Sequence, residues 1–271
     1  MIFSYQFVQN AILAALFAGI ISGLMGTLIT EKHRIMMTGG IAHASFGGIG
    51  LGYLLGIEPM VPALGVAAIV VLIMKRLEDR FSQRADTIMG MLWALGMALG
   101  MIFVGMRPGY PPDMTSYLFG DILTISRRDL MLMIFASLSF LLIFSIRFET
   151  WKMILFDEEH AKLMGLPVDR YKTIFYLSIA LAVIALIKVV GIILTLAILT
   201  TPPMTAQLFT KRLLPRILCA TGFAWLTIFS GFALSFKIEV PSGAMIIFVS
   251  VLLFMILTLA KKMKKSLAKD S

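Results

Sequence analysis

The chain has 271 residues, of which 59% are hydrophobic and only 14% charged, and its mean hydropathy is +0.93. A soluble domain carries roughly 25% charged residues, so this composition leaves too little polar surface to keep a water-exposed fold from aggregating. The formal charge of +9 does not mark a nucleic-acid binder, because the basic residues sit in short loops between apolar runs, where they orient a chain in a bilayer. The single cysteine, Cys219, excludes a disulfide framework and a cysteine-based zinc site.

Apolar runs such as Leu177–Leu199 and Met245–Ala260 are continuous. A barrel would alternate apolar and polar residues over about ten positions, whereas helices satisfy their own backbone inside an unbroken run. The fold class expected is all-α, a polytopic transmembrane helical bundle of eight or nine spans. At about 20 residues per crossing, the candidate spans are 7–29, 39–56, 60–75, 87–105, 129–147, 169–187, 190–210, 217–236 and 242–260. The sixth and seventh are nearly continuous, broken around Lys188–Gly191. Residues 1–260 read as one transmembrane domain and 261–271 as a basic cytoplasmic tail. No Lys or Arg precedes Lys32, so the first run lacks the basic n-region of a signal peptide and is expected to remain as a span.

With the C-terminus inside, 19 of the 24 Lys and Arg fall in inner loops and the tail. Only Arg107, Arg127, Arg128, Lys188 and Lys237 remain outside. That asymmetry predicts a cytoplasmic C-terminus and a multi-pass protein of the cell membrane in contact with lipid. Gly19-x-x-x-Gly23, Gly96-x-x-x-Gly100 and the glycines at 47, 48, 50 and 52 predict close helix packing. The 20 methionines read as adaptable apolar filling.

One cytoplasmic insert looks shaped. Asp157 is placed to cap a short helix with Glu158 and Glu159 in its first turn, suiting the positive end of the helix dipole. Lys162 falls in its last turn, Gly165 ends it and Pro167 prevents resumption. Elsewhere, Pro202 and Pro203 lack amide donors and predict an interrupted helix, read as a pore helix break. Asp86 reads as an N-cap on the fourth span.

The segment Phe156-Asp-Glu-Glu-His-Ala-Lys-Leu-Met-Gly165 resembles the coupling helix of permeases from ABC-type metal importers, the zinc/manganese/iron (ABC-3) family. Further stretches agree in order: Gly40-Ile-Ala-His-Ala-Ser45, Asp86-Thr-Ile-Met-Gly90, Tyr117-Leu-Phe-Gly-Asp-Ile-Leu-Thr124, Val190 through Pro203, and Val240-Pro-Ser-Gly-Ala244. The resemblance implies a permease subunit that works as a homodimer, with cytoplasmic ATPase subunits gripping Asp157, Glu158, Glu159, Ala161 and Gly165. It also implies an extracytoplasmic metal-binding protein that delivers a divalent metal ion, zinc or manganese, with iron open. The chain is then a transport subunit with no catalytic residues and no permanently bound cofactor. No Gly-x-x-x-x-Gly-Lys-Ser/Thr phosphate loop occurs, so ATP hydrolysis is expected on a partner chain.

His43 is the only histidine placed within a span, and Glu239 is the carboxylate beside Val240-Pro241. His, Asp and Glu are the side chains expected to bind a divalent first-row ion, and inside spans they are costly enough to suggest function, which makes His43 a candidate ligand. The resemblance adds Glu239, near the family's other site, as a candidate carboxylate. The family commonly has Asp four residues before this histidine, where Gly39 stands here. Two transport alternatives stay open: an ABC permease for a metal-organic complex such as a siderophore, and a gradient-driven secondary transporter. The second would need acidic residues deep in spans, and none is placed there. An intramembrane metalloprotease would need a His-Glu-x-x-His cluster, which is absent.

Overall fold

A computed structural model describes residues 6–81, 85–108, 115–120 and 125–270, and among these every regular element is helical. In chain order they are α1 (Gln6–Ile21), a π-helical turn at Ser22–Gly26, α2 (Thr27–Glu31), α3 (Ile35–Leu55), α4 (Met60–Phe81), α5 (Ala85–Met106) and α6 (Thr115–Phe119). After these come α7 (Arg127–Ile146), α8 (Phe148–Phe156), α9 (Glu158–Leu163), α10 (Val168–Gln207), α11 (Leu213–Ile238) and α12 (Ser242–Asp270). Eight stretches are long and apolar enough to cross a membrane, as expected of a polytopic bundle. The second span read from the sequence, α3, is not among the eight. It is long enough at 21 residues, but its glycines and His43 lower its apolar content. The neighbouring helices α4, α5 and α10 wrap it, so it meets protein rather than lipid and does not need a lipid-compatible surface. The basic tail is not a loose appendage either, since α12 continues as helix to Asp270.

Hydrogen bonds and ion pairs fix the path of α10. Run straight, its 40 residues would span about 60 Å, twice the ~30 Å hydrocarbon core. Near its start, Lys172 pairs with Glu158, which also faces Lys32; at its end, Gln207 donates to Glu31. Glu31 and Lys32 are chain neighbours, so both ends of α10 lie on one face and the helix doubles back between them. The reversal is at Gly191, the one non-helical residue inside α10, with φ 79° and ψ 168°. A β-carbon there would lie 2.3 Å from the amide nitrogen of Gly120, so only glycine allows both the backbone angle and the crossing. This agrees with the break expected around Lys188–Gly191.

The break expected at Pro202 and Pro203 is not there. Helix α10 runs through both prolines with helical backbone. Pro202 cannot donate to the carbonyl of Ile198, and Ser22 from the π-turn supplies the missing donor instead, 2.5 Å from Ile198 O. The carbonyl of Leu199, freed by Pro203, lies against Gly26, where a β-carbon would approach it to 2.6 Å. The wide turn in the first span and the proline pair in α10 are therefore two halves of one contact. Neighbouring helices commonly re-satisfy backbone freed by proline within membranes in this way.

Small residues do the packing assigned to them. Gly96 and Gly100 of α5 face Ala44, Gly47, Gly50 and Phe46 of α3, bringing the two backbones together. Gly19 and Gly23 admit Trp225 and Thr221 of α11. At the basic face, Glu31 pairs with Arg216 at the start of α11, and both side chains are nearly buried, 10% and 12% exposed. Arg216 also donates to Thr210 O, closing the loop between α10 and α11. Glu31→Gln should cost about 3 kcal/mol by stranding a buried guanidinium, seen as a lower melting temperature of the detergent-purified protein. The double variant Glu31→Gln/Arg216→Met should recover much of that loss.

Candidate functional site

The short helix α9 has the ends the sequence anticipated. The Asp157 carboxylate accepts from His160 N at 2.9 Å, and Glu158 and Glu159 occupy the first turn. Gly165, at φ 74°, closes a Schellman arrangement in which Gly165 N donates to Lys162 O and Leu166 N to Ala161 O. The five residues expected to meet an ATPase do not share one role. Ala161 is fully buried, packed with Ile154 and Val168, and therefore holds α9 to the bundle. Glu158 turns inward as well: its carboxylate lies 3.2 Å from Lys172, 3.6 Å from Lys32 and 3.8 Å from Lys162. Asp157, Glu159 and Gly165 are exposed, and beside them Leu163 and Met164 present apolar side chains 87% and 62% exposed.

Charge and burial oppose each other at Glu158. Partial burial raises its carboxyl pKa, but the hydrogen bond and charge of Lys172, with Lys32 and Lys162, outweigh it and leave the group below its ordinary value. Lys32 moves downward because burial outweighs the attraction of Glu158. Lys32 also donates to Ile154 O at 2.9 Å, so one ammonium ties the first span to both α8 and α9. A second strut joins α4 to α10, where Lys75 lies 2.7 Å from both Asp169 and Thr173 Oγ1. Lys32, Lys75 and Lys172 read in the sequence only as orienting charges, because their partners lie more than 90 residues away or across a turn.

The candidate metal ligands occupy different depths. His43 lies about 12 Å along α3 from its basic-face end, deeper than the sequence reading gave because α3 begins at Ile35. Its ring stacks on Trp93, with centroids 4.0 Å apart and planes 12° apart, and Nδ1 lies 3.5 Å from Met97 Sδ. Trp93 and Met97 are one turn apart on the face of α5 that packs on α3, so the glycine contacts nearby set this geometry. Glu239 is the left-handed cap of α11, φ 58°, with its side chain exposed. Helix α11 begins beside Glu31 and is 26 residues long, which carries Glu239 about 39 Å to the opposite face. His43 and Glu239 are thus not brought together. Ser235 is buried and bonded within its own helix, to Phe232 O. Asp86 lies in the first turn of α5, one residue inside the helix and not at its cap. Among the described residues no three His, Cys, Asp or Glu side chains gather at a metal-binding distance. Of the motif Tyr117–Thr124, residues 121–124 lie outside the described residues.

A bundle of this kind, with eight apolar stretches long enough to cross a bilayer and a folded-back central helix, defines a multi-pass membrane protein. The chain matches the family model of the ABC 3 transport family over residues 4–261, and it belongs to that family. It is 34% identical to an uncharacterized membrane protein of Synechocystis sp., over 93% of this chain and 90% of that one. It is 33% identical to the manganese transport system membrane protein MntC of Halalkalibacterium halodurans, over 93% and 86%. Among solved structures it is similar to PsaBC from Streptococcus pneumoniae in complex with Fab, with a TM-score of 0.83, 28% identity, and coverage of 93% and 91%. The fold also matches an inward-facing metal-chelate type ABC transporter, with a TM-score of 0.69 at 20% identity, covering 93% and 85%. The resemblance drawn from the motifs is borne out, and the chain is a permease subunit of this family.

Glu158→Gln should loosen α9, raising amide hydrogen exchange over residues 158–166, whereas Glu159→Gln should leave it unchanged. The contribution of Glu158 is complete above its unfolded-state pKa of about 4.3 and is lost as pH falls through the lower folded value. Protection of the segment, corrected for intrinsic exchange, should therefore hold from pH 8 to pH 5 and decline only below about pH 4.

Proposed function

We propose that the chain is the membrane-spanning permease of an ATP-driven importer for a divalent first-row transition metal, zinc or manganese, with iron in the same class. The permease works as a homodimer, receives its ion from an extracytoplasmic metal-binding protein and takes its energy from cytoplasmic ATPase subunits. The observation that carries this reading is the division of labour in α9. Its exposed edge, with Asp157, Glu159, Leu163 and Met164, is free to meet a cytoplasmic chain. Its inward edge, Glu158 and Ala161, is fastened to the first span and to α10. A push on α9 is therefore delivered to the two elements that meet at Ser22 and Ile198 in the middle of the bundle. The manganese systems among the relatives support the class of cargo. His43 is proposed as an ion contact on the path. Glu239, exposed at the far end, does not share an ion with it.

Leu163→Glu should leave the permease folded and monodisperse while abolishing its co-purification with the ATPase subunits and lowering metal uptake at least about tenfold. Glu158→Gln and Gly165→Val should keep that association but lower the metal carried per ATP hydrolysed, measured in proteoliposomes. Retained association and uptake in Leu163→Glu, or unchanged uptake per ATP in Glu158→Gln and Gly165→Val, would contradict the coupling assignment.

A further inference from the structure

Among the described residues, the ring of His43 makes one hydrogen-bonding contact, and its partner is a thioether. Nδ1 lies 3.5 Å from Met97 Sδ, while one face of the ring is covered by the flat stack on Trp93. A sulfur is a weak hydrogen-bond acceptor, so this contact does little to stabilise a half-buried imidazole. Two ligands of one tetrahedral ion, at about 2.1 Å for imidazole nitrogen and about 2.3 Å for a thiolate sulfur, stand about 3.6 Å apart, and a neutral thioether, bonding somewhat longer, stands slightly farther off. The observed separation is thus compatible with a shared cation as well as with an N–H···S bond. Among the described residues, no three His, Cys, Asp or Glu side chains gather around the pair. The apolar sulfur lining continues toward the basic face. Met89 packs on Gly40 and, with Met37 and Met74, lines a cavity of about 20 Å³ that reaches His33 and Asp86. Arg34 also lines this cavity, beside Asp86.

We infer that Met97 is a specificity-determining ligand which, with His43, makes the intramembrane ion contact a nitrogen–sulfur pair selective for borderline-soft ions of the Zn²⁺ class over Mn²⁺. The inference rests on the metal-import reading and narrows its cargo. Imidazole and thioether donors suit zinc and copper, whereas manganese is a hard ion that takes oxygen ligands. Two protein donors give a weak site, which suits a transport path, where an ion must leave as readily as it enters. The fold also leaves room to change this chemistry. One turn before His43 is Gly39, where a β-carbon would meet Leu196 and Trp93 at 3.5 Å and 3.6 Å, ordinary contact distances. A carboxylate installed there would lie on the histidine's side of α3 without displacing backbone.

The test uses the full chain in lipid nanodiscs, with radioactive zinc as the probe and unlabelled Mn²⁺ as competitor. The wild-type protein should bind zinc with at least about tenfold preference over manganese. Met97→Leu, which conserves volume, should weaken zinc binding about tenfold and remove the sulfur neighbour seen by zinc X-ray absorption. Gly39→Asp should raise manganese binding and narrow the preference. Manganese binding equal to or tighter than zinc in the wild type, or zinc binding and absorption spectra unchanged in Met97→Leu, would overturn the assignment while leaving metal import standing. Binding of neither ion would also overturn it, and the metal content of cells lacking the gene then decides the broader reading separately.

Discussion

The backbone of a membrane helix has nowhere to turn for hydrogen bonds except to the protein itself, and α10 is where that constraint organises the molecule. It must reverse at Gly191 because a straight helix of its length overshoots the bilayer. It must also accommodate Pro202 and Pro203, which leave two carbonyls without donors. The solution draws in the first span: its π-turn puts Ser22 onto Ile198 O, and Gly26 lets Leu199 O approach closely. A π-turn inserted in an α-helix is rare and costly in isolation, and here it exists because another helix needs what it presents. Ile179, Ile184, Leu186 and Ile187 of α10 are fully buried, and so are Ile21 and Met25 of the first span, so both partners of this contact lie inside the bundle.

Seen from the basic face, the same two elements are gripped again. Glu31 holds Gln207 and Arg216, while Lys32 and Lys172 share Glu158 of the short helix α9. The first span and α10 are therefore joined at mid-membrane through a hydrogen bond to a freed carbonyl, and at the surface through charges that a cytoplasmic partner can load. Displacing α9 changes the load on both at once. For a permease that must open alternately to two sides, this links the surface to the interior with few intermediates. The proposed ion contact at His43 lies on α3, which packs against α10.

Much of this fold was legible in the sequence because the signals were local. Span positions follow from apolar length, and the ends of α9 follow from Asp157 and Gly165, whose effects reach only a few residues. The close approach of α3 and α5 follows from glycines at helical spacing. What failed depended on partners far along the chain. Pro202 and Pro203 predict a break when read alone, and Ser22, 176 positions from Ile198, cancels it. Glu158 reads as a surface acid until Lys32 and Lys172 are placed beside it. Met97 was one of 20 methionines, and no pattern set it apart from packing residues until α5 was laid on α3. His43 and Glu239 read equally as candidate ligands in the sequence, where depth is not visible, whereas the fold places one within α3 and the other at the far end of α11.

The central claim is that this chain carries a transition metal into the cell. It is tested most directly by the elemental content of cells lacking the gene, grown with limiting metal and compared with complemented cells, with zinc, manganese and iron measured together by mass spectrometry. A selective fall in one metal, restored by complementation, is the result expected. Unchanged content of all three metals in a strain without a redundant importer would contradict it.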